Sequence, residues 1–152
     1  MSWNESEDTA RTSTLLRQLF KTPDLDTFFD RYESTMQTPE LHEHLLALCA
    51  ERRLKKETVI KYAGIERTYG YQIFNGTRKP SRDKVLQLAL ALRLGMEETQ
   101  KLLQIADKSL LYPRLKRDAA VIYCITRGLG FMEAQSLLHE LGLHLLGDES
   151  AV

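Results

Sequence analysis

The chain has 152 residues, of which 43% are hydrophobic and 28% charged, and its 21 basic and 21 acidic side chains cancel to a net charge of +0. That excludes a disordered chain and a uniformly basic nucleic-acid binder, and it suits a domain with a real core plus helical extensions. The charge is unevenly spread: residues 1–40 are acid-rich, bases dominate 52–84, and after Gly128 there are acids but no Lys or Arg.

Helix signals recur along the chain and strand signals are almost absent. Thr22-Pro23-Asp24 and Thr38-Pro39-Glu40 share one grammar: a hydroxyl cap, a proline in the first turn, then an acid suited to the positive helix end. They predict helices at about 12–21, 24–36 and 39–53, the third with Leu41, Leu45, Leu48 and Cys49 on one stripe. Lys56 to Ala63 follows, then Gly64, then Arg67 to Phe74, then Asn75-Gly76 as a stop. Ser81 caps a helix to about Arg93, with Val85, Leu88, Ala89 and Leu92 facing inward. Further helices are expected at 97–106, 114–127 and 132–141, with Tyr112-Pro113 as punctuation. The tail from about Gly147 reads as frayed. The class is all-α with short connections.

One stretch repeats. RDKVLQLALALRLGMEETQKLL from Arg82 and RDAAVIYCITRGLGFMEAQSLL from Arg117 agree at a shift of 35 positions, including Arg82/Arg117, Asp83/Asp118, Gly95/Gly130, Glu98/Glu133 and Gln100/Gln135. Each copy reads as helix, glycine turn, helix; convergent hairpin grammar and a true duplication both account for it. The Arg-Asp pairs are expected simply as helix-start residues.

The chemistry is concentrated in Lys55 to Ser81, which has the shape of a helix-turn-helix. Gly64 supplies the left-handed link between two steeply crossing short helices. Val59, Ile60 and Ala63 can pack against Ile65, Tyr69 and Ile73. The opposite face shows Arg67, Thr68, Tyr71, Gln72 and Asn75. Arg and Gln can form bidentate bonds to base edges, and Thr can meet a thymine methyl. Thr77, Arg78 and Lys79 in the loop before Pro80, with Lys55 and Lys56 at the first helix start, suit phosphates.

The run LKKETVIKYAGIERTYGYQIFNGTRKPSRDKVLQLALALRLGMEE resembles the Cro and phage-repressor helix-turn-helix, the XRE family. Gly76, Pro80, Ser81, Val85, Leu88, Ala89, Ala91 and Leu92 occupy that family's loop and following-helix pattern. The resemblance covers about Leu41 to Ala106, and the whole chain is similar to small bacterial regulators with an extra helical tail around Tyr112-Pro113-Arg114. It implies a five-helix DNA-binding domain, a base-contacting set of Arg67, Thr68 and Gln72, and phosphate contacts at Lys56, Tyr71, Thr77, Arg78 and Lys79. With Lys55 and Asn75 from the same surface, the expected phosphate-contacting set is complete. Two positions depart from the family. Gly70 stands where a core side chain is usual, and Phe74 where a polar one is. Either Tyr69 and Tyr71 close the gap at Gly70, or the helix bends to fit a partner other than DNA. Phe74 is expected as packing beneath the loop.

The expected organisation is an N-terminal helical extension at 1–38, the DNA-binding domain at 39–107, a C-terminal helical hairpin at 108–146 and a tail at 147–152. Cys49 and Cys124 sit in apolar helical patterns and read as buried free thiols. No glycine-rich phosphate loop, metal-ligand spacing or nucleophile with a base is found, so neither an enzyme nor a metal or other cofactor is expected. The polar, acidic start MSWNESEDTARTS lacks signal-peptide order, and the longest apolar run is shorter than the about 20 residues of a membrane span, so the expected location is cytoplasmic, away from membranes.

The function expected is a sequence-specific regulator of transcription that binds double-stranded DNA. Because one recognition helix reads few base pairs, a homodimer is expected. The alternative is a protein-interaction adaptor that keeps the scaffold, with a protein partner met by the N- or C-terminal helices. Arg114, Lys116, Arg117 and Arg127 either extend the phosphate surface or are ordinary exposed charges, and Leu143, Leu145 and Leu146 either close the core or make a dimer contact.

Overall fold

The structure is a computed structural model that describes residues 12–36 and 39–147. These hold nine α-helices and no strand: α1 (Thr12–Lys21), α2 (Leu25–Met36), α3 (Leu41–Glu51), α4 (Lys56–Tyr62), α5 (Arg67–Phe74), α6 (Arg82–Ala91), α7 (Met96–Ile105), α8 (Lys116–Thr126) and α9 (Phe131–Glu140). The all-α class is therefore as expected. The chain divides into two compact units, Met1–Thr38 and Pro39–Val152.

In the first unit α1 and α2 lie against one another. The cap of α2 is Asp24 rather than Thr22. Its Oδ1 accepts from the Thr27 N–H and hydroxyl, both at 2.8 Å. The Thr22 hydroxyl instead donates to the Gln18 carbonyl at 2.7 Å, closing α1. A carboxylate is a stronger acceptor for orphan helix N–H groups than a hydroxyl, so the helix starts one step later. Phe28 and Tyr32 are buried in α2, with ring centroids 5.1 Å apart. The acidic positions Glu5, Glu7 and Asp8, the expected cap Thr38 and the tail beyond Gly147 lie outside the described residues.

The second unit has one continuous core, running from Leu45 and Leu48 through Ile60, Ile73 and Leu102 to Val121 and Leu138. Its centre is α6, in which every residue from Val85 to Leu90 is buried, Gln87 included. A helix apolar on most of its circumference must be surrounded, and α4, α7 and α9 all lie against it. The end of α3 is tied to the start of α7 by a charge pair. Arg52, at the end of α3, donates two hydrogen bonds to Glu98 in the first turn of α7 (2.9 and 2.8 Å) and one to the Leu92 carbonyl (3.0 Å). Earlier in α3, His44 stands near Lys101. Burial, and then the Lys101 charge, hold its imidazole below the usual pKa.

The repeat is a structural one, and its two copies exchange partners. Arg82 donates to Asp118 (3.1 and 2.9 Å), and its counterpart Arg117 donates to Asp83 (2.9 and 2.9 Å). Arg82 Nε reaches the Ser109 carbonyl and Arg117 Nε the His144 carbonyl, each at 2.9 Å. The end of each copy returns to the start of the other: the Tyr112 N–H donates to Asp118 and the Gly147 N–H to Asp83, again both at 2.9 Å. Within each copy one glutamine amide clamps the backbone of the incoming chain, Gln100 at Leu111 and Gln135 at Leu146. A translational repeat would carry Arg117 onward to a third copy; the return to Asp83 makes this a closed two-fold pair. The Arg-Asp pairs thus do more than start helices. Arg117, one of the candidates to extend a phosphate surface, is committed to Asp83. Leu146 is buried and Leu143 and Leu145 are partly so, because the returning chain seals this core.

Candidate nucleic-acid interface

The helix-turn-helix pair is α4 and α5, joined at Ala63-Gly64. Gly64 has φ +67, the left-handed backbone the link needs. A β-carbon there would also lie 2.3 Å from Cε1 of Phe131, so the first residue of α9 seats its ring on the turn. From below, the buried Gln87 donates its amide to the Ala63 carbonyl at 2.8 Å. The turn is braced by α6 and α9 together.

Glu66 caps α5, its carboxylate accepting from the N–H groups of Thr68 (3.0 Å) and Tyr69 (2.9 Å). These two backbone bonds, with a smaller contribution from the Arg78 charge, hold its carboxyl below the usual range. Midway along α5, Gly70 is buried against Ile60 of α4. The space a side chain would take at 70 is filled by Ile60. Phe74 is buried, 3% exposed, in the core beneath the loop.

The outward side of α5 and the loop after it carry the sequence-derived candidates. Lys55, Lys56, Arg67, Thr68, Asn75, Thr77, Arg78 and Lys79 are exposed, and Tyr71 and Gln72 are half-buried. Several are brought together. The Tyr71 ring lies 5.5 Å from the Arg67 guanidinium and 5.7 Å from the Lys56 ammonium, linking the start of α4 to the face of α5. Arg78 Nε donates to Gln72 Oε1 at 2.8 Å, so the loop arginine orients the glutamine amide. Asn75 Oδ1 accepts from the Thr77 N–H (3.0 Å) and hydroxyl (2.6 Å), folding the loop back on the helix end. Lys55 and Lys79 are not tied to the group by any hydrogen bond, ion pair or ring contact among the described residues.

Two residues belong to this surface that sequence reasoning did not place there, Tyr69 and Lys84. Tyr69, expected on the inner face, is only partly buried, and its ring lies 4.5 Å from the Arg78 guanidinium and 5.8 Å from the Lys84 ammonium. Tyr69 and Tyr71 thus flank Gly70 and each gathers cations. The signal was legible as two tyrosines within two residues of a cluster of bases, but which ring met which base depends on the α4–α5 crossing.

Chemically, the surface offers guanidinium and ammonium donors, an oriented amide and two hydroxyls. None of Lys55, Lys56, Arg67, Arg78 and Lys79 pairs with a carboxylate among the described residues, whereas Arg52, Arg82 and Arg117 all do. No group of three or more His, Cys, Asp or Glu able to hold a metal occurs among the described residues, and no helix among them is long and apolar enough to cross a membrane. Cys49 and Cys124 are buried free thiols, and burial pushes both up from the usual thiol pKa. No protein family, characterised protein or solved structure is detectably similar to this chain.

Proposed function

We propose that this chain is a cytoplasmic, sequence-specific DNA-binding regulator of transcription that lays α5 in a major groove. The observation that carries the proposal is the cluster of bases gathered around Tyr69 and Tyr71 on α5 and its loop. Arginines that serve the fold are clamped to carboxylates, while those on α5 and its loop are exposed without one. In this role Arg67, Thr68 and Gln72 meet base edges, and Lys55, Lys56, Tyr71, Asn75, Thr77, Arg78 and Lys79 meet the backbone of the duplex. The sequence resemblance to the repressor-type helix-turn-helix supports the same reading. A single α5 spans too few base pairs for useful affinity, so the working form is a homodimer on a two-fold site.

A second reading, a protein-interaction adaptor on the same scaffold, draws support from Glu66. Its carboxylate occupies the N-terminus of α5, where a regulator would otherwise offer N–H groups to phosphate. Selection of bound duplexes from a random library by the purified full chain separates the two. An enriched motif with two-fold half-sites is the expected result. Absence of any enrichment in dilute buffer, where phosphate contacts are strongest, overturns the regulator reading.

A further inference from the structure

The first unit leaves most of its apolar surface uncovered. No residue of α1 is buried, and in α2 only Phe28 and Tyr32 are. Leu16, Leu19 and Phe20 of α1 and Leu25, Phe29 and Met36 of α2 are all exposed, Phe20 at 79%. A hairpin of 10 and 12 residues encloses too little apolar surface to stand alone, and below about 40 residues oligomerisation is a usual remedy. Its charges are segregated as well. Helix α1 carries Arg17 and Lys21 and no acid, whereas α2 carries Asp26, Asp30 and Glu33, and its one base, Arg31, lies 5.6 Å from the Tyr32 ring. A spacing of i, i+4 puts Arg17 with Lys21 on one side of α1 and Asp26 with Asp30 on one side of α2. Although α1 and α2 touch, no base of one pairs with an acid of the other; every ion pair among the described residues lies in the second unit.

We infer that the α1–α2 hairpin is a self-association surface, covered by the same hairpin of a second copy of this chain in a two-fold four-helix bundle. The exposed leucines and phenylalanines of both copies form its centre. The charges select a second copy as the occupant. Set beside the α2 of the partner copy, α1 meets the acids that it does not pair with in its own. With the two-fold axis along the helices, α1 and that α2 run antiparallel. Lys21 then comes level with Asp26 of the partner copy, and Arg17 with Asp30 of the partner copy. The symmetry makes each pairing twice, so one chain carries both halves of the charge pattern. The inference rests on the regulator reading for its purpose, since that reading calls for a homodimer, but it uses no residue of α5 or its loop.

The test is sedimentation of the purified full chain without DNA, over a range of concentrations. A reversible dimer is expected, weakened at least about tenfold by Phe20→Glu, the loss usual for a central contact. Phe20 is exposed, so this variant should keep the helical circular dichroism of the wild type. Two charge-reversed chains make the test sharper. Arg17→Glu with Lys21→Glu leaves both helices acidic, and Asp26→Lys with Asp30→Lys leaves both basic. Each should sediment alone as a monomer, and a mixture of the two should form a heterodimer, because every α1 then meets an α2 of opposite sign. A heterodimer that fails to form in the mixture overturns the inference, and so does a dimer formed by either variant alone. A wild-type chain that stays monomeric at every concentration also overturns it, whether the face is covered by the chain itself or by a different protein. A dimer indifferent to Phe20→Glu does the same, because the contact then lies elsewhere. Duplex selection with the same preparation keeps the two readings apart. A Phe20-dependent dimer that enriches no motif supports the inference and overturns the regulator reading, whereas a monomer that enriches a single half-site does the reverse.

Discussion

A β-carbon built on Gly70 falls 2.5 Å from Cγ2 of Ile60, with Cγ1 and Cδ1 of the same side chain at 2.8 and 2.9 Å. The glycine in the middle of α5 is therefore a seat for Ile60. It lets α4 and α5 approach more closely than any side chain at 70 allows, and that approach sets the angle at which the outer face of α5 is presented.

This contact makes Gly70→Ala a conflict of two known effects. Alanine adds about 1 kcal/mol of helix propensity, while overpacking costs ~1–3 kcal/mol. Cγ2 springs directly from the β-carbon and Ile60 is buried, so the side chain cannot swing aside. The expected net result is destabilisation of ~1–2 kcal/mol in denaturant unfolding. In an Ile60→Ala background, which removes all three opposing atoms, Gly70→Ala should instead stabilise, with a coupling of at least ~1 kcal/mol in the double-mutant cycle. Stabilisation by Gly70→Ala in the native background would show that the close approach is not energetically enforced.

The exchanged ion pairs should not be equal. Asp118 is almost fully buried, its side chain 5% exposed, while Asp83 keeps 21%. Arg82→Met strands a buried carboxylate with the Tyr112 N–H, and ~3–5 kcal/mol is the usual cost of breaking a buried pair from one side. Arg117→Met leaves a wetter carboxylate that still has the Gly147 N–H, so its cost should be lower, at ~1–3 kcal/mol. Urea midpoints of the two variants test the order, and equal losses would contradict it.

Acid should destabilise the protein in two stages. Burial and then Lys101 depress the His44 pKa, so the folded protein takes up this proton less readily than the unfolded chain. Stability is full above the unfolded pKa of about 6.5 and falls as pH drops below it. Asp83 is also depressed: burial alone would raise it, but Arg117, the Gly147 N–H and the Arg82 charge outweigh that. Its contribution is present above the unfolded value of about 3.9 and is lost as pH falls through the lower folded value. Thermal midpoints measured from pH 8 to pH 2 should show both steps. His44→Gln should remove the first, and the gap between wild type and Asp83→Asn should close toward pH 2.

On DNA, the hydrogen bond from Arg78 to Gln72 changes what the loop variants should do. Arg67→Ala and Gln72→Ala should each cost ~1–3 kcal/mol on the selected site and little on random duplex. Lys79→Ala should weaken both alike and flatten the dependence of log K on log salt by about one contact. Arg78→Ala should do both, because it removes a cation and releases the glutamine amide. Binding measured on both duplexes across a salt series checks all four. If Arg78→Ala follows Lys79→Ala in every respect, the amide is oriented by something else.

Much of this molecule is legible in its residues. The helices were readable to within a residue or two at most ends because their signals are local: the Ser81 cap, the Gly64 and Gly76 breaks, and leucines recurring on one stripe. The missed cap at Asp24 was also local, a contest between two neighbouring acceptors. The outward residues of α5 followed from helical periodicity once the inner face was assigned. The repeat was visible, but only as matching letters.

By itself, then, the sequence determined the all-α class, the order of the helices and which side of α5 carries Arg67, Thr68 and Gln72, because propensity, capping and amphipathic spacing act over a few residues. Only the tertiary structure decided that Arg82 and Arg117 exchange aspartates, that Ile60 requires a glycine at 70, that Phe131 and Gln87 brace the turn, and that Tyr123 is left open where Leu88 is covered. Each of these joins residues distant in the chain, and the pairing depends on how the helices cross. A run of letters records that two arginines and two aspartates are present; whether each arginine turns to its own copy or to the other depends on the closed two-fold packing of the hairpins.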